Sequence, residues 1–108
     1  MYFKISKVDI SNRDSLVEFL KEKSAIFKYN DVYCTSEDLK LSDHRHMDFE
    51  SRLILDGNPT FTIYGEEINL GPGWYIEIMP EVVHSFSSTG DLVAIRFFTN
   101  NVGWVAHY

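Results

Sequence analysis

A single cysteine, Cys34, cannot close an internal disulfide, so packing and hydrogen bonds must hold the fold, and a reducing, cytoplasmic setting is expected. Positive charge is scarce. Ten Lys and Arg against sixteen Asp and Glu leave a formal charge of −6, which argues against nucleic acid or an anionic membrane surface as partner. No apolar run approaches the ~20 residues needed to span a bilayer, and Met1-Tyr2-Phe3-Lys4 does not open a secretory signal. No repeat, linker or low-complexity segment divides the chain. What is present is apolar (44%) and aromatic (15%) in abundance, enough to bury a core in one domain of this length.

Helical periodicity is confined to one stretch. Ser11 can cap, Asp14 sits where a capping-box acid would, and Leu16, Val17, Phe19 and Leu20 form an apolar stripe opposite Glu18, Lys21, Glu22 and Lys23. This helix is expected to cover an edge or end of a sheet. Elsewhere the pattern is strand and turn. Tyr2 to Val8, Ile26 to Tyr29, Val32 to Thr35, Ser51 to Leu55, Thr60 to Tyr64, Glu67 to Leu70, Trp74 to Met79, His84 to Phe86 and Leu92 to Phe98 read as short strands. Gly65-Glu66 suits a two-residue hairpin with glycine first, and Pro72-Gly73 the centre of a type II turn. Short strands at close spacing, punctuated by Gly, Pro and Asn, point to an all-β sandwich or barrel.

One stretch carries chemistry. In an extended strand alternate side chains share a face, so His44 and His46 point together, away from Arg45. Glu50 follows, and His84 comes later, after a turn-rich segment. Imidazole nitrogens with one carboxylate oxygen are the donors proteins use for divalent iron, manganese, nickel or zinc.

The spacing resembles the cupin superfamily. Its first motif expects His-x-His, three or four residues, Glu, six residues, then Gly, met by His44, His46, Glu50 and Gly57. Its second expects Gly, five residues, Pro-x-Gly, two residues, His; Gly73 and His84 keep that overall spacing. The resemblance covers roughly residues 38–90. Asp38 replaces the leading Gly, Met79 and Glu81 replace the Pro and Gly of the second motif, and Ser88 replaces its trailing Asn. Pro80 still supplies a bend, and a positive φ at Glu81 would cost about 1 kcal/mol.

The resemblance implies a cupin-type double-stranded β-helix, a jelly-roll barrel with one short N-terminal amphipathic helix. Residues 1–108 form a single domain in this reading: an extension over 1–35, a barrel core over 36–99 and a tail over 100–108. It further implies one divalent transition metal, iron(II) favoured and manganese, nickel or zinc admissible, held by His44, His46, Glu50 and His84. Four ligands on a six-coordinate ion leave two positions for a small-molecule substrate or for substrate and dioxygen. A homodimer is the expected assembly.

By strand parity from Glu50, Arg52 and Ile54 point inward, and Arg52 is a candidate anchor for a substrate carboxylate or phosphate. Phe86 shares parity with His84 as an apolar wall. Tyr64, Tyr75, Glu77 and Arg96 are candidates for proton transfer or orientation. Cys34 reads as a buried small apolar side chain. His107, with Trp104 and Tyr108, reads as surface or interface. Three functions compete: a dioxygenase-like oxidoreductase acting on a small polar or anionic metabolite, a non-redox isomerase, epimerase or lyase needing a tyrosine or Glu77 at the metal, and a non-catalytic ligand-binding module.

Overall fold

The computed structural model describes residues 2–45 and 49–99. Its elements are β1 (Phe3–Lys7), α1 (Arg13–Ile26), β2 (Tyr29–Thr35), β3 (Leu39–His44), β4 (Glu50–Asp56), β5 (Thr60–Ile63), β6 (Glu66–Asn69), β7 (Trp74–Ile78), β8 (His84–Ser88) and β9 (Leu92–Phe98). The strands form two antiparallel sheets, ordered β1-β7-β4-β9-β2 and β3-β8-β5-β6. The fold is the all-β jelly roll with one N-terminal helix.

Two apolar layers hold it together. Ile54, Phe61, Ile63, Leu70, Ile76, Ile78, Leu92 and Ala94 pack between the sheets. Leu53, Tyr75, Phe97 and Phe27 form a second cluster with Leu16, Phe19 and Leu20 of α1. The central strand β4 is therefore buried on both faces: Glu50 and Ile54 toward one layer, Ser51 and Leu53 toward the other. Buried apolar surface contributes roughly 25 cal/mol per Å², so the helix earns its position by covering the sheet's outer face.

Local details differ from the sequence reading in instructive ways. The cap of α1 is Asn12, whose Oδ1 accepts from Ser15 N at 3.0 Å, while Ser11 instead bonds Asp9. The helix runs on to Ile26. Lys23 lies on the packed side rather than opposite it, because it is seven residues after Leu16. Its Nζ lies 4.9 Å from the centre of the Tyr75 ring and 3.3 Å from Glu77 Oε2. Val17 is exposed. Of the two pieces expected between Ile26 and Thr35, the first is not a strand, since Ile26 ends α1 and Phe27 caps it. Strand β2 begins at Tyr29 and runs unbroken through Asn30-Asp31 to Thr35, and the polar stretch before the histidines is itself strand β3.

The β5–β6 hairpin turns on Tyr64-Gly65, one residue earlier than expected. Both have positive φ, 47° and 83°, as a type I′ turn requires. Trp74 N bonds Gly71 O at 3.2 Å around Pro72 and Gly73, whose φ is 88°, the type II turn foreseen. Glu81 has φ 65°, so the departure from Gly in this loop is accommodated as local strain. Gly57 (φ 99°) has a second constraint, since a Cβ there would lie 2.5 Å from the Asp91 carbonyl oxygen.

Candidate functional site

Four strands deliver the chemistry-bearing side chains to one cavity. His44 ends β3, His84 begins β8, and the two are directly opposite in register with ring centroids 4.3 Å apart. A register shift between Leu41 and His44 makes this possible. Three residues apart on a regular strand they would face opposite ways; the irregularity turns both into the cavity. Glu50, Arg52 and Ile54 come from β4 with the alternation expected, and Arg96 from β9. Tyr33, Leu41, Phe61 and Phe86 supply apolar wall.

The cavity volume is about 50 Å³, room for a few waters. Glu50 and His84 are only 1% and 3% exposed. His84 Nδ1 lies 2.8 Å from Val82 O and His44 Nδ1 2.8 Å from Ser42 O. A carbonyl can only accept, so each Nδ1 must carry the proton. In a neutral ring each Nε2 then presents a lone pair. His84 Nε2 points it at Glu50 Oε1, 3.0 Å away. Two acceptors at that distance repel unless a proton or another cation lies with them. Two donors at 90° on an ion with bonds of 2.0–2.2 Å stand about 3.0 Å apart, so this spacing suits one edge of a coordination octahedron. Among the described residues no three His, Cys, Asp or Glu side chains converge as a complete metal cluster, and His46 lies outside those residues. Arg52 Nη2 sits 3.4 Å from Glu50 Oε2, with its Cζ 5.0 Å from the centre of the Phe98 ring.

The cupin domain profile matches residues 36–99, more than half of the chain. The chain belongs to the cupin family. Among curated proteins it resembles acireductone dioxygenases: 34% identity over 73 residues with that of Bacillus pumilus, covering 61% of this chain and 42% of the relative. With that of Bacillus cytotoxicus the identity is 37% over 73 residues, covering 61% and 43%. The match thus spans about two-fifths of the length of these relatives. Among solved structures, an acireductone dioxygenase from Bacillus anthracis with a cadmium ion in its active centre superposes with TM-score 0.73 at 25% identity, covering 98% of this chain and 83% of that one. A cupin superfamily protein from Desulfitobacterium hafniense, at TM-score 0.58 and 16% identity over 63% of this chain and 62% of its own, shares the fold.

Not every expected site residue reaches this cupin's cavity. Tyr64 is at the tip of the β5–β6 turn, 55% exposed, its ring 4.5 Å from that of Tyr2. Tyr75 points to the opposite face of its sheet, where its hydroxyl donates to Glu77 Oε2 at 2.9 Å beneath α1. Burial, reinforced by Glu77, raises the Tyr75 phenol well above its ordinary range. Glu77 is engaged there by Lys23. Strand parity decides these exclusions: Tyr75 and Glu77 alternate with Ile76 and Ile78, which face the inter-sheet core. Cys34 is exposed rather than buried, because it alternates with inward-facing Tyr33 on an edge strand. His107, Trp104 and Tyr108 lie outside the described residues. Sequence reading missed Tyr33 and Leu41 as cavity residues; Tyr33 sits on a strand before the recognised motifs, and Leu41 required the irregularity in β3.

Proposed function

We propose that this cupin is a metal-dependent dioxygenase that binds one divalent ion, iron(II) by preference, through His44, His46, Glu50 and His84, and acts on a small anionic reductone, an enediol conjugated to a carbonyl. The observation that carries the reading is the buried facing of His84 Nε2 and Glu50 Oε1 at 3.0 Å with Nδ1 already committed to Val82 O. That pair needs a proton or a metal ion to hold it together, and His44 stands beside it. The likeness to acireductone dioxygenases supports the reaction class.

A divalent ion held there would supply Lewis-acidic and redox chemistry toward substrate and oxygen. The chain's own residues do the rest. Val82 O and Ser42 O hold the two imidazoles in the tautomer that offers Nε2. Arg52 and Arg96 bring guanidinium groups to the cavity wall and hold the substrate's oxyanions. Phe61 and Phe86, ring centroids 5.0 Å apart, keep water from the reacting end. The competing isomerase or lyase reading loses its proton-transfer groups, since Tyr64, Tyr75 and Glu77 do not line the cavity. Homodimerisation belongs to the same reading, supported by the 62% exposed Val32 on edge strand β2, and light scattering tests it.

The functional experiment starts with metal analysis of untagged protein. Anaerobic loading with iron(II) follows, then oxygen uptake with small reductones such as triose reductone (2,3-dihydroxypropenal). Stoichiometric oxygen consumption is expected. Turnover that continues unchanged without oxygen, or a protein that takes up no transition ion, overturns the proposal.

A further inference from the structure

Arg52 and Arg96 are opposite each other across β4 and β9. Like charges side by side in a barrel cost stability unless each is compensated. Arg52 has Glu50. Arg96 is compensated from the other side. Asp31, its register partner on β2, takes Arg96 Nε at 2.8 Å on Oδ1 and Nη2 at 2.5 Å on Oδ2. This fork sets the plane of the guanidinium. The rings of Tyr33 and Phe98 lie 4.9 and 5.7 Å from its Cζ. The Arg96 side chain is 12% exposed and that of Asp31 28%. Asp31 and Tyr33 both precede the stretch that matches the cupin profile, so β2 adds to the cavity residues that the family pattern does not specify.

We propose that Asp31 is a positioning residue: it orients Arg96 at the cavity wall so that the guanidinium meets an anionic substrate in one fixed orientation. Asp31 itself touches no substrate. The inference rests on the cavity being the site for a small anion, as read above. A carboxylate that merely neutralised Arg96 would compete with the substrate, and its removal would tighten binding. A positioning carboxylate does the reverse: its removal frees the side chain and weakens binding.

The test titrates zinc-loaded, oxygen-free protein with triose reductone by calorimetry and measures oxygen uptake by the iron(II) form. Asp31→Asn keeps the size and removes the charge-assisted fork. It is expected to weaken reductone binding about tenfold, with the kinetic loss in KM rather than kcat and metal content as in the wild type. Asp31→Glu recovers much of the affinity. The Arg96 Nε proton, protected from exchange in the wild type, loses that protection in Asp31→Asn. The double variant Asp31→Asn/Arg96→Met regains thermal stability but not affinity; recovery of both would mean a merely structural pair and end the proposal. Asp31→Asn protein that binds the reductone as tightly as the wild type, or more tightly, also overturns it. Wild-type protein that binds no reductone defeats the reading of the cavity and this inference with it. Binding without oxygen uptake defeats only the dioxygenase reading, and the comparison of Asp31 variants still decides.

Discussion

Replacing Glu50 by Gln separates the acid's structural contribution from the role toward a cation proposed for it. In the metal-free variant a glutamine amide donates into the His84 Nε2 lone pair, so the contact now at 3.0 Å survives as an ordinary hydrogen bond. What disappears is the charge 3.4 Å from Arg52, a side chain only 16% exposed. Leaving such a group without its carboxylate costs about 1–3 kcal/mol. At about 4 °C per kcal/mol for a chain of this length, the metal-free midpoint falls by roughly 4–12 °C. Metal addition is the decisive arm. Wild-type protein at a thousand times Kd gains about 4 kcal/mol, or about 16 °C. If the variant binds a hundredfold more weakly, the same metal concentration returns about 1.4 kcal/mol, or about 6 °C. Scanning calorimetry with EDTA and with zinc, alongside metal analysis, reads both increments. Equal metal-induced shifts in wild type and Glu50→Gln would refute the assignment of Glu50 as a ligand, however large the metal-free difference.

The packing and turn arguments make further predictions. Leu53→Ala, removing a fully buried side chain between the sheet and α1, should cost about 3–4 kcal/mol in denaturant unfolding; a loss below 1 kcal/mol would mean α1 does not seal that face. Gly57→Ala should destabilise far more than Gly65→Ala, since both have positive φ but only the first brings a Cβ against Asp91 O. The second should cost about 1–2 kcal/mol, and equal costs would contradict the turn geometry. Burial and Glu77 hold the Tyr75 phenol above its ordinary 10.0, so above that pH the unfolded chain releases this proton before the folded one. Stability should fall as pH rises past 10, and Tyr75→Phe should remove part of the fall; an alkaline absorbance titration in which all six tyrosines ionise together while the chain is still folded would disprove it.

How much of this was legible beforehand depends on whether the signal was local. The donor types and their spacing, His44, His46, Glu50, Gly57 and His84, were readable because a strand's two-residue period and a turn's glycine are properties of neighbours in sequence. So was the inward course of Arg52 and Ile54, and the strain at Glu81. The tyrosines misled because type and proximity in sequence say nothing about which face of a sheet is the core face. Tyr75 alternates correctly but on the side that α1 covers, and Tyr64 became a turn residue when the hairpin shifted by one.

By itself, then, the chain's order of residues determined an all-β barrel with one helix, the two motifs, and an acidic protein whose His44, His46, Glu50 and His84 are of the side-chain types that bind divalent ions. Only the tertiary structure decided that the β3 irregularity turns His44 toward His84, that His84 and Glu50 face each other in a buried cavity, and that Asp31 on β2 grips Arg96. The reason is physical. Register shifts and contacts across sixty residues depend on how whole sheets pair and pack, and no window of neighbouring residues holds that information.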